Sequence, residues 1–379
     1  MASFAWKGGA VILPADAQPA GSQVKARRQA ATSQPGPQPR HREPPDAAAA
    51  FAQRAHFPPA PASAGWRHPH IKRNDLPMHC ACRTASLPAS QAGEPEMGPG
   101  TSQRKVALIT GASSGMGKGF AKALLAEGLI VYAAARRVEQ MADLAQEGAI
   151  VLKMDITSDA DVRAAAGRIQ AAGRGVDVLI NNAGFGLYGA MEDTGIDDAR
   201  YQFEVNLFGM ARVTQAVLPH MRQQRSGTII NVSSMGGRMY TPLGSWYHAS
   251  KHAVEGWSDC LRLELAPFGI DVVIIEPGII DTGFGNVLVE PLLARSGTGP
   301  YRDMAHAVAE ATRRSYAAGR ASNPGVIVEL VMQAVRADKP RTRYVAGRYA
   351  RSLMFLRKWG GDRFFDRLVL STTRRAGMS

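Results

Sequence analysis

Six short apolar runs, each followed by a stretch of helical period, constrain this chain more than any other feature. They lie at 105–110, 130–134, 150–154, 176–180, 228–232 and 270–275. Each is too short for a helix and too continuously apolar for a strand with one wet face. Strands apolar on both faces, alternating with helices, build a parallel sheet covered on both sides. Helices are expected after the first run to a stop at Gly128, over 159–172, as one long stretch over 197–225, from Tyr247 to about 268, and over 326–337. A seventh run, 342–347, fits an edge strand. The expectation is an α/β chain: a single doubly wound domain over 101–379, with about seven parallel strands and helices on both faces.

The first hundred residues follow no such pattern. They hold 15 of the 23 prolines and show no sustained period. Such a stretch buries too little apolar surface to offset its ordering entropy. Residues 1–100 are therefore expected to be a disordered extension. Three origins fit it: a flexible tail, a targeting extension, or a misassigned start with Met97 or Met78 as the alternative first residue. The net charge of +13 fits an arginine-rich solvated surface. No nucleic-acid-binding module accompanies it, so no nucleic-acid partner is expected. With only Cys80, Cys82 and Cys260, a disulfide framework is excluded and a reducing, cytoplasmic location is expected. His79-Cys80-Ala81-Cys82 lacks the second half of a four-ligand site, so no metal is expected. No run reaches the ~18 apolar residues of a membrane-spanning helix.

Between the first strand and its helix lies Gly111-Ala112-Ser113-Ser114-Gly115-Met116-Gly117. Strand, glycine-rich turn and helix together place a pyrophosphate on a helix N-terminus. The glycines permit the tight turn and close backbone approach, while free amides and the helix dipole face the phosphates. After the second strand, the position where an acid would hold a ribose 2′-hydroxyl is followed by Arg136-Arg137. Arginine there forks onto a 2′-phosphate. NADP(H) is expected over NAD(H).

A third local pattern follows the fifth strand. Ser233-Ser234 closes the strand, a Gly- and Pro-containing loop follows, and Tyr247 and Lys251 then stand four residues apart on a helix. Positions i and i+4 share a face, and a phenol beside an ammonium has its ionised form favoured. His248 and His252 are expected to point elsewhere.

These motifs together resemble the short-chain dehydrogenase/reductase family. The likeness rests on Thr110-Gly111-x-x-x-Gly115-x-Gly117, Asp155, Asn181-Asn182-Ala183-Gly184, Asn206, Ser234, Tyr247-x-x-x-Lys251 and Pro277-Gly278-x-x-x-Thr282. They cover 105–282 in the family's order and spacing. The resemblance implies a Rossmann fold and an oxidoreductase. It makes Tyr247 the general acid and Lys251 the residue that lowers its pKa and holds the nicotinamide ribose. Ser234, selected over Ser233 by spacing, would bond the substrate oxygen, and Asn206 would hold a water linking Lys251 to solvent. Gly111, Ser113, Ser114, Gly115, Met116 and Gly117 would bind the cofactor phosphates. Asp155 and Ile156 would meet the adenine. Asn182, Ala183, Gly184, Pro277 and Gly278 would line the cofactor, and Thr282 would bond the carboxamide. Asp155 also fits a helix cap, and the Asn-rich run also fits a strand-ending turn.

Substrate contacts are expected from Phe185, Leu187 and Tyr188, from Met235, Met239, Tyr240 and Trp246, and from the segment after Thr282. Their apolar character points to a lipophilic carbonyl or alcohol. Residues 283–323 are expected to form a substrate flap with a helix near 302–318. The arrangement resembles steroid- and retinol-type reductases and bacterial reductases of lipophilic carbonyls. Alternatives are a ketoacyl-thioester reductase of the same family, a non-catalytic nucleotide-binding regulator, and a membrane-surface protein. The last draws on the basic amphipathic tail at 351–379, which also fits packing on its own domain or a homo-oligomer contact.

Overall fold

A computed structural model describes residues 104–377. The proline-rich extension, the alternative starts Met78 and Met97, and the His79-Cys80-Ala81-Cys82 run lie outside the described residues.

Seven strands form one sheet: β1 (Val106–Thr110), β2 (Ile130–Ala135), β3 (Ile150–Lys153), β4 (Val178–Asn181), β5 (Gly227–Val232), β6 (Ile270–Pro277) and β7 (Arg343–Ala346). Their order is β3-β2-β1-β4-β5-β6-β7, and every pairing is parallel. The order reverses between β1 and β4, which opens a crevice at the strand C-termini, where open α/β sheets bind ligands.

Both faces are covered, and the strand pleat decides which residue faces which core. Ala107 and Ile109 of β1 join one core with Phe120 and Leu124 of α1 (Gly115–Ala126), Leu144 of α2 (Ala142–Gln146) and Ile327 and Val331 of α9 (Gly325–Arg336). Val106 and Leu108 join the other, with Ile169 of α3 (Asp159–Ala171), Val213 and Val217 of α5 (Met210–Gln224) and Leu261 of α6 (Ser245–Leu265). Each fully buried aliphatic side chain contributes about 1.5–3 kcal/mol of transfer free energy.

Three differences from expectation have local causes. Helix α3 is capped by Ser158, whose Oγ accepts from the Asp161 N–H at 3.2 Å; Asp155 is not its cap. The long helix expected over 197–225 is divided into α4 (Ile196–Phe203), a wide π turn (Glu204–Gly209) and α5. A π turn carries one extra residue per hydrogen-bonded ring and often marks a functional position; here it carries Asn206 inward, fully buried. Residues 283–323 contain two helices, α7 (Phe284–Ser296) and α8 (Arg302–Tyr316). Pro291 inside α7 and glycines at its borders hide its helical period.

The tail forms α10 (Ala350–Gly360) and α11 (Asp362–Gly377), joined at Gly361, whose φ of 72° suits glycine. Phe365 and Val369 of α11 bury themselves against Met239, so the tail packs on the sheet domain. Among the described residues, no helix is long and apolar enough to cross a membrane.

Candidate active site

A cavity of about 910 Å³ runs along the C-terminal edge of the sheet. At one end the chain presents backbone. Gly111 and Gly115 take φ values of +68° and +54°, and both border the cavity with Ser113, Ser114 and Met116. Gly117 does not border it. A Cβ there would lie 2.3 Å from the Gly111 carbonyl oxygen, so Gly117 lets α1 close on the turn; the expected direct cofactor contact is corrected to this supporting role.

Asn182 holds the same turn from β4. Its Nδ2 donates to the carbonyls of Thr110 at 3.0 Å and Gly111 at 3.2 Å. In return the Thr110 Oγ1 accepts from the Asn182 and Ala183 N–H groups, both at 3.0 Å. Arg136 and Arg137 stand exposed on the cavity rim, and Arg136 Nη1 donates to the Tyr201 hydroxyl at 3.2 Å. Asp155 and Ile156 border the same end. The Asp155 carboxylate accepts from Thr157 N–H and Oγ1 at 2.9 and 2.8 Å, which fixes its turn.

At the other end the chain presents side chains. Ser234, Tyr247 and Lys251 border the cavity together, with Pro277, Gly278 and Thr282 on its β6 side. Ser234 Oγ accepts from the Gly236 N–H at 3.0 Å. Lys251 Nζ donates to the Val232 carbonyl at 3.0 Å. Asn206 does not border the cavity. It locks the Phe185 backbone from both sides, Oδ1 accepting from its N–H and Nδ2 donating to its carbonyl, each at 3.0 Å, and Nδ2 also donates to Ser250 Oγ at 3.1 Å. A Cβ on Gly184 would lie 3.1 Å from Asn206 Oδ1 and 3.7 Å from Lys251 Nζ. The missing side chain of Gly184 leaves the space between these two groups open.

Burial, with Tyr188 beside it, pushes the Tyr247 phenol well above its ordinary value, against the pull of a Ser234 hydrogen bond. Burial also pushes Lys251 down to about 8, opposed by Glu255. Taken alone, the protein's groups keep Tyr247 protonated.

His248 also faces the cavity, contrary to expectation, whereas His252 is exposed. The Thr241 N–H donates to His248 Nε2 at 3.1 Å, so Nδ1 carries the hydrogen and donates to the Gly236 carbonyl at 2.9 Å. Burial lowers its pKa to about 4. A neutral imidazole thus ties both ends of the loop after Ser234 to α6.

Of the expected substrate residues, Phe185, Tyr188, Met235 and Met239 border the cavity. Leu187 is buried away from it, its N–H donating to Gln202 Oε1 at 2.6 Å. Tyr240 points toward the tail, where its hydroxyl donates to Asp366 at 2.9 Å and its ring packs on Phe365. Trp246 belongs to a separate groove with Ile196 and Phe208. The walls that take their place are Phe284 and Leu288 of α7, Val308 and Tyr316 of α8, and Val369 and Thr373 of α11. The Phe284 ring lies 6.1 Å and the Tyr188 ring 5.8 Å from that of Tyr247.

Residues 105–291 match the family model described as short chain dehydrogenase. A 3-ketodihydrosphingosine reductase of Bacteroides thetaiotaomicron is 43% identical over 182 residues, 48% of this chain and 66% of that protein. Dehydrogenase/reductase SDR family member 7B of Xenopus laevis is 34% identical over 286 residues, 72% of this chain and 83% of that protein. Among solved structures, a short-chain dehydrogenase/reductase of Burkholderia phymatum in complex with NAD is 28% identical, with a TM-score of 0.58, covering 67% of this chain and 93% of its own. A serine dehydrogenase complexed with NADP+ is 25% identical, with a TM-score of 0.56, covering 64% of this chain and 94% of its own. A seven-stranded parallel sheet, a glycine turn at its switch point and these likenesses have one reading: the chain belongs to the short-chain dehydrogenase/reductase family, and is an oxidoreductase of the kind that works with a nicotinamide dinucleotide on a small molecule.

Proposed function

We propose that this oxidoreductase uses NADP(H) and interconverts a lipophilic carbonyl and its alcohol in the cytoplasm. One observation carries the reading: Ser234, Tyr247 and Lys251 share the end of a cavity whose opposite end holds the glycine turn and the Arg136–Arg137 rim. That end fits a dinucleotide. Gly111 and Gly115 leave that part of the wall free of side chains, and a Cβ on Gly115 would close to 3.3 Å from Thr282. The α1 N-terminus suits the pyrophosphate, and exposed Arg136 and Arg137 suit a 2′-phosphate. When bound, the cofactor supplies or accepts the hydride.

The chain's own groups handle the oxygen and its proton. Tyr247 keeps its proton at neutral pH because it is buried, the form needed by an acid that protonates a carbonyl oxygen during reduction. Ser234 donates to the same oxygen and stabilises the developing alkoxide. Lys251 orients the cofactor ribose. With its pKa near 8, it can also take up a proton through the gap beside Gly184 that separates it from Asn206, and pass it on to Tyr247. The lipophilic substrate is supported by Phe284, Leu288, Val308 and Val369 on the cavity wall, and by the relative named for reducing 3-ketodihydrosphingosine.

The test is Tyr247→Phe, assayed by NADPH oxidation against a panel of steroid, retinoid, medium-chain and ketoacyl-thioester carbonyls. Loss of general acid catalysis should cost about 10²–10⁴-fold in kcat, with NADPH affinity retained. Unchanged turnover on the accepted substrate would sink the mechanism.

A further inference from the structure

The two tail helices leave one face without a partner, and its chemistry is specific. On α10, Arg351, Phe355, Lys358 and Trp359 fall at i, i+4, i+7 and i+8, so they share a face. Trp359 is 70% exposed and Phe355 62%. Their rings lie 6.4 Å apart, and Lys358 Nζ sits 5.2 Å from the indole. On α11, Arg363, Phe364, Arg367 and Leu370 repeat the pattern, all exposed. The Phe364 ring rests against Gly360, next to Trp359, and this joins the two faces.

The two acids of this stretch are exposed but already engaged by groups other than the four cations: Asp362 pairs with Arg357 at 2.6 Å, and Asp366 accepts from Tyr240. Arg351, Lys358, Arg363 and Arg367 have no carboxylate partner among the described residues. Aromatic rings ringed by unpaired cations on a helix lying along a domain surface match the headgroup layer of an anionic bilayer, where indole and phenyl rings and guanidinium groups each find their preferred depth. A protein partner would need acidic groups to answer four cations around a small apolar centre. A bilayer rich in anionic lipid meets that demand by itself.

The opposite face of α11 strengthens the case. Val369, Thr372 and Thr373 form part of the cavity wall, so one helix separates the cavity from the unpartnered face. We propose that α10 and α11 dock the enzyme on anionic membrane surfaces through Phe355, Trp359 and Phe364 and the four cations around them. The docking stands whether or not the carbonyl reading holds, because it is measured without turnover.

The experiment is co-sedimentation of the full chain with vesicles of phosphatidylcholine alone and of phosphatidylcholine mixed with phosphatidylserine. Wild type should pellet with the mixed vesicles, release as salt rises, and stay in solution with the neutral ones. Phe355→Ser/Trp359→Ser/Phe364→Ser and, separately, Arg351→Glu/Lys358→Glu/Arg363→Glu should each lower the bound fraction at least about tenfold. Thermal unfolding is run beside each variant, and if the serine triple is not folded the charge variant alone decides. Wild type that ignores mixed vesicles, or binds neutral ones equally, overturns the proposal. So do folded variants that pellet like wild type, since the binding would then come from elsewhere in the chain.

Discussion

The two ends of the cavity are built from different materials. At the nucleotide end the contacts are backbone, held by Gly111, Gly115 and the Asn182–Thr110 clamp within one strand–turn–helix unit and its neighbour strand. At the far end the walls are side chains brought from α7, α8 and α11. Tyr240 meets Asp366 across 126 residues of sequence. A backbone site tolerates little change in its own residues and is held by few others, here Asn182 and Thr282. A side-chain site can be rebuilt one wall at a time, so substrate choice can change while the cofactor cradle is left intact.

The sharpest way to break this contrast is Gly117→Ala. Its Cβ would meet the Gly111 carbonyl at 2.3 Å and Asn182 Nδ2 at 2.5 Å. Neither the backbone atom nor the clamped amide can yield, so the turn itself must shift. A displacement of about 1 Å at a positioned site costs about 100-fold. kcat/KM should fall by that order for every substrate alike, with weaker NADPH binding in a fluorescence titration. A loss confined to one substrate would erase the distinction between the ends. Next in size is Arg136→Ala. A charge-assisted bond is worth ~1.5–3 kcal/mol, so NADPH affinity should fall about 10- to 100-fold while NADH affinity stays nearly level. Equal losses would remove the 2′-phosphate assignment and leave the arginine as a partner of Tyr201.

The same contrast explains what could be read from sequence. Tyr247 and Lys251 were legible because their relation is local, one helical turn that no tertiary contact can alter. So was the glycine turn, fixed by a strand before it and a helix after it. Leu187 and Tyr240 were misplaced because a loop residue goes where its backbone or side-chain partner lies: Gln202 takes the Leu187 N–H, Phe365 and Asp366 take the Tyr240 side chain, and none is a neighbour in sequence. The Tyr247 phenol was read as lowered because a lysine four residues on was the nearest visible influence. Burial, which no local pattern reveals, acts in the opposite direction. The wall formed by α11 was invisible for the same reason: an amphipathic helix announces an apolar face but not what that face will cover.

The far end can be tested one wall at a time. Ala311 of α8 is half-buried on the cavity surface. Ala311→Phe narrows the substrate end and leaves the glycine turn untouched. A pocket change of a methylene or more shifts discrimination by about 10- to 200-fold. kcat/KM should fall about tenfold or more for bulky carbonyls and little for short ones, with NADPH affinity unchanged. Parallel losses for all carbonyls would place Ala311 outside the substrate path.

The smallest effect is expected beneath the junction of the two ends. Glu276 on β6 is 1% exposed, with Arg238 of the loop after Ser234 at 3.4 Å and Arg343 of β7 at 3.6 Å. Arg343 is shared, since it also holds Glu255 at 3.1 Å and Asp259 at 2.6 Å. Burial and the nearby Glu255 charge therefore outweigh the arginines and push Glu276 up to about 7. A folded-state value above the ordinary 4.5 means that the folded chain binds this proton more tightly than the unfolded one. The resulting stability is fully present below about 4.5 and is lost as pH rises through about 7. Glu276→Gln removes the titration while keeping the shape. Across pH 5 to 8 the wild-type Tm should fall relative to the variant's by several degrees, each kcal/mol being worth about 2–4 °C in a domain of this size. Because Glu276 precedes the Pro277–Gly278 wall of the cavity and Arg238 follows Ser234, the same proton should bear on both ends at once. If the two Tm curves run parallel, the arginines neutralise Glu276 throughout, and this junction carries no pH dependence of its own.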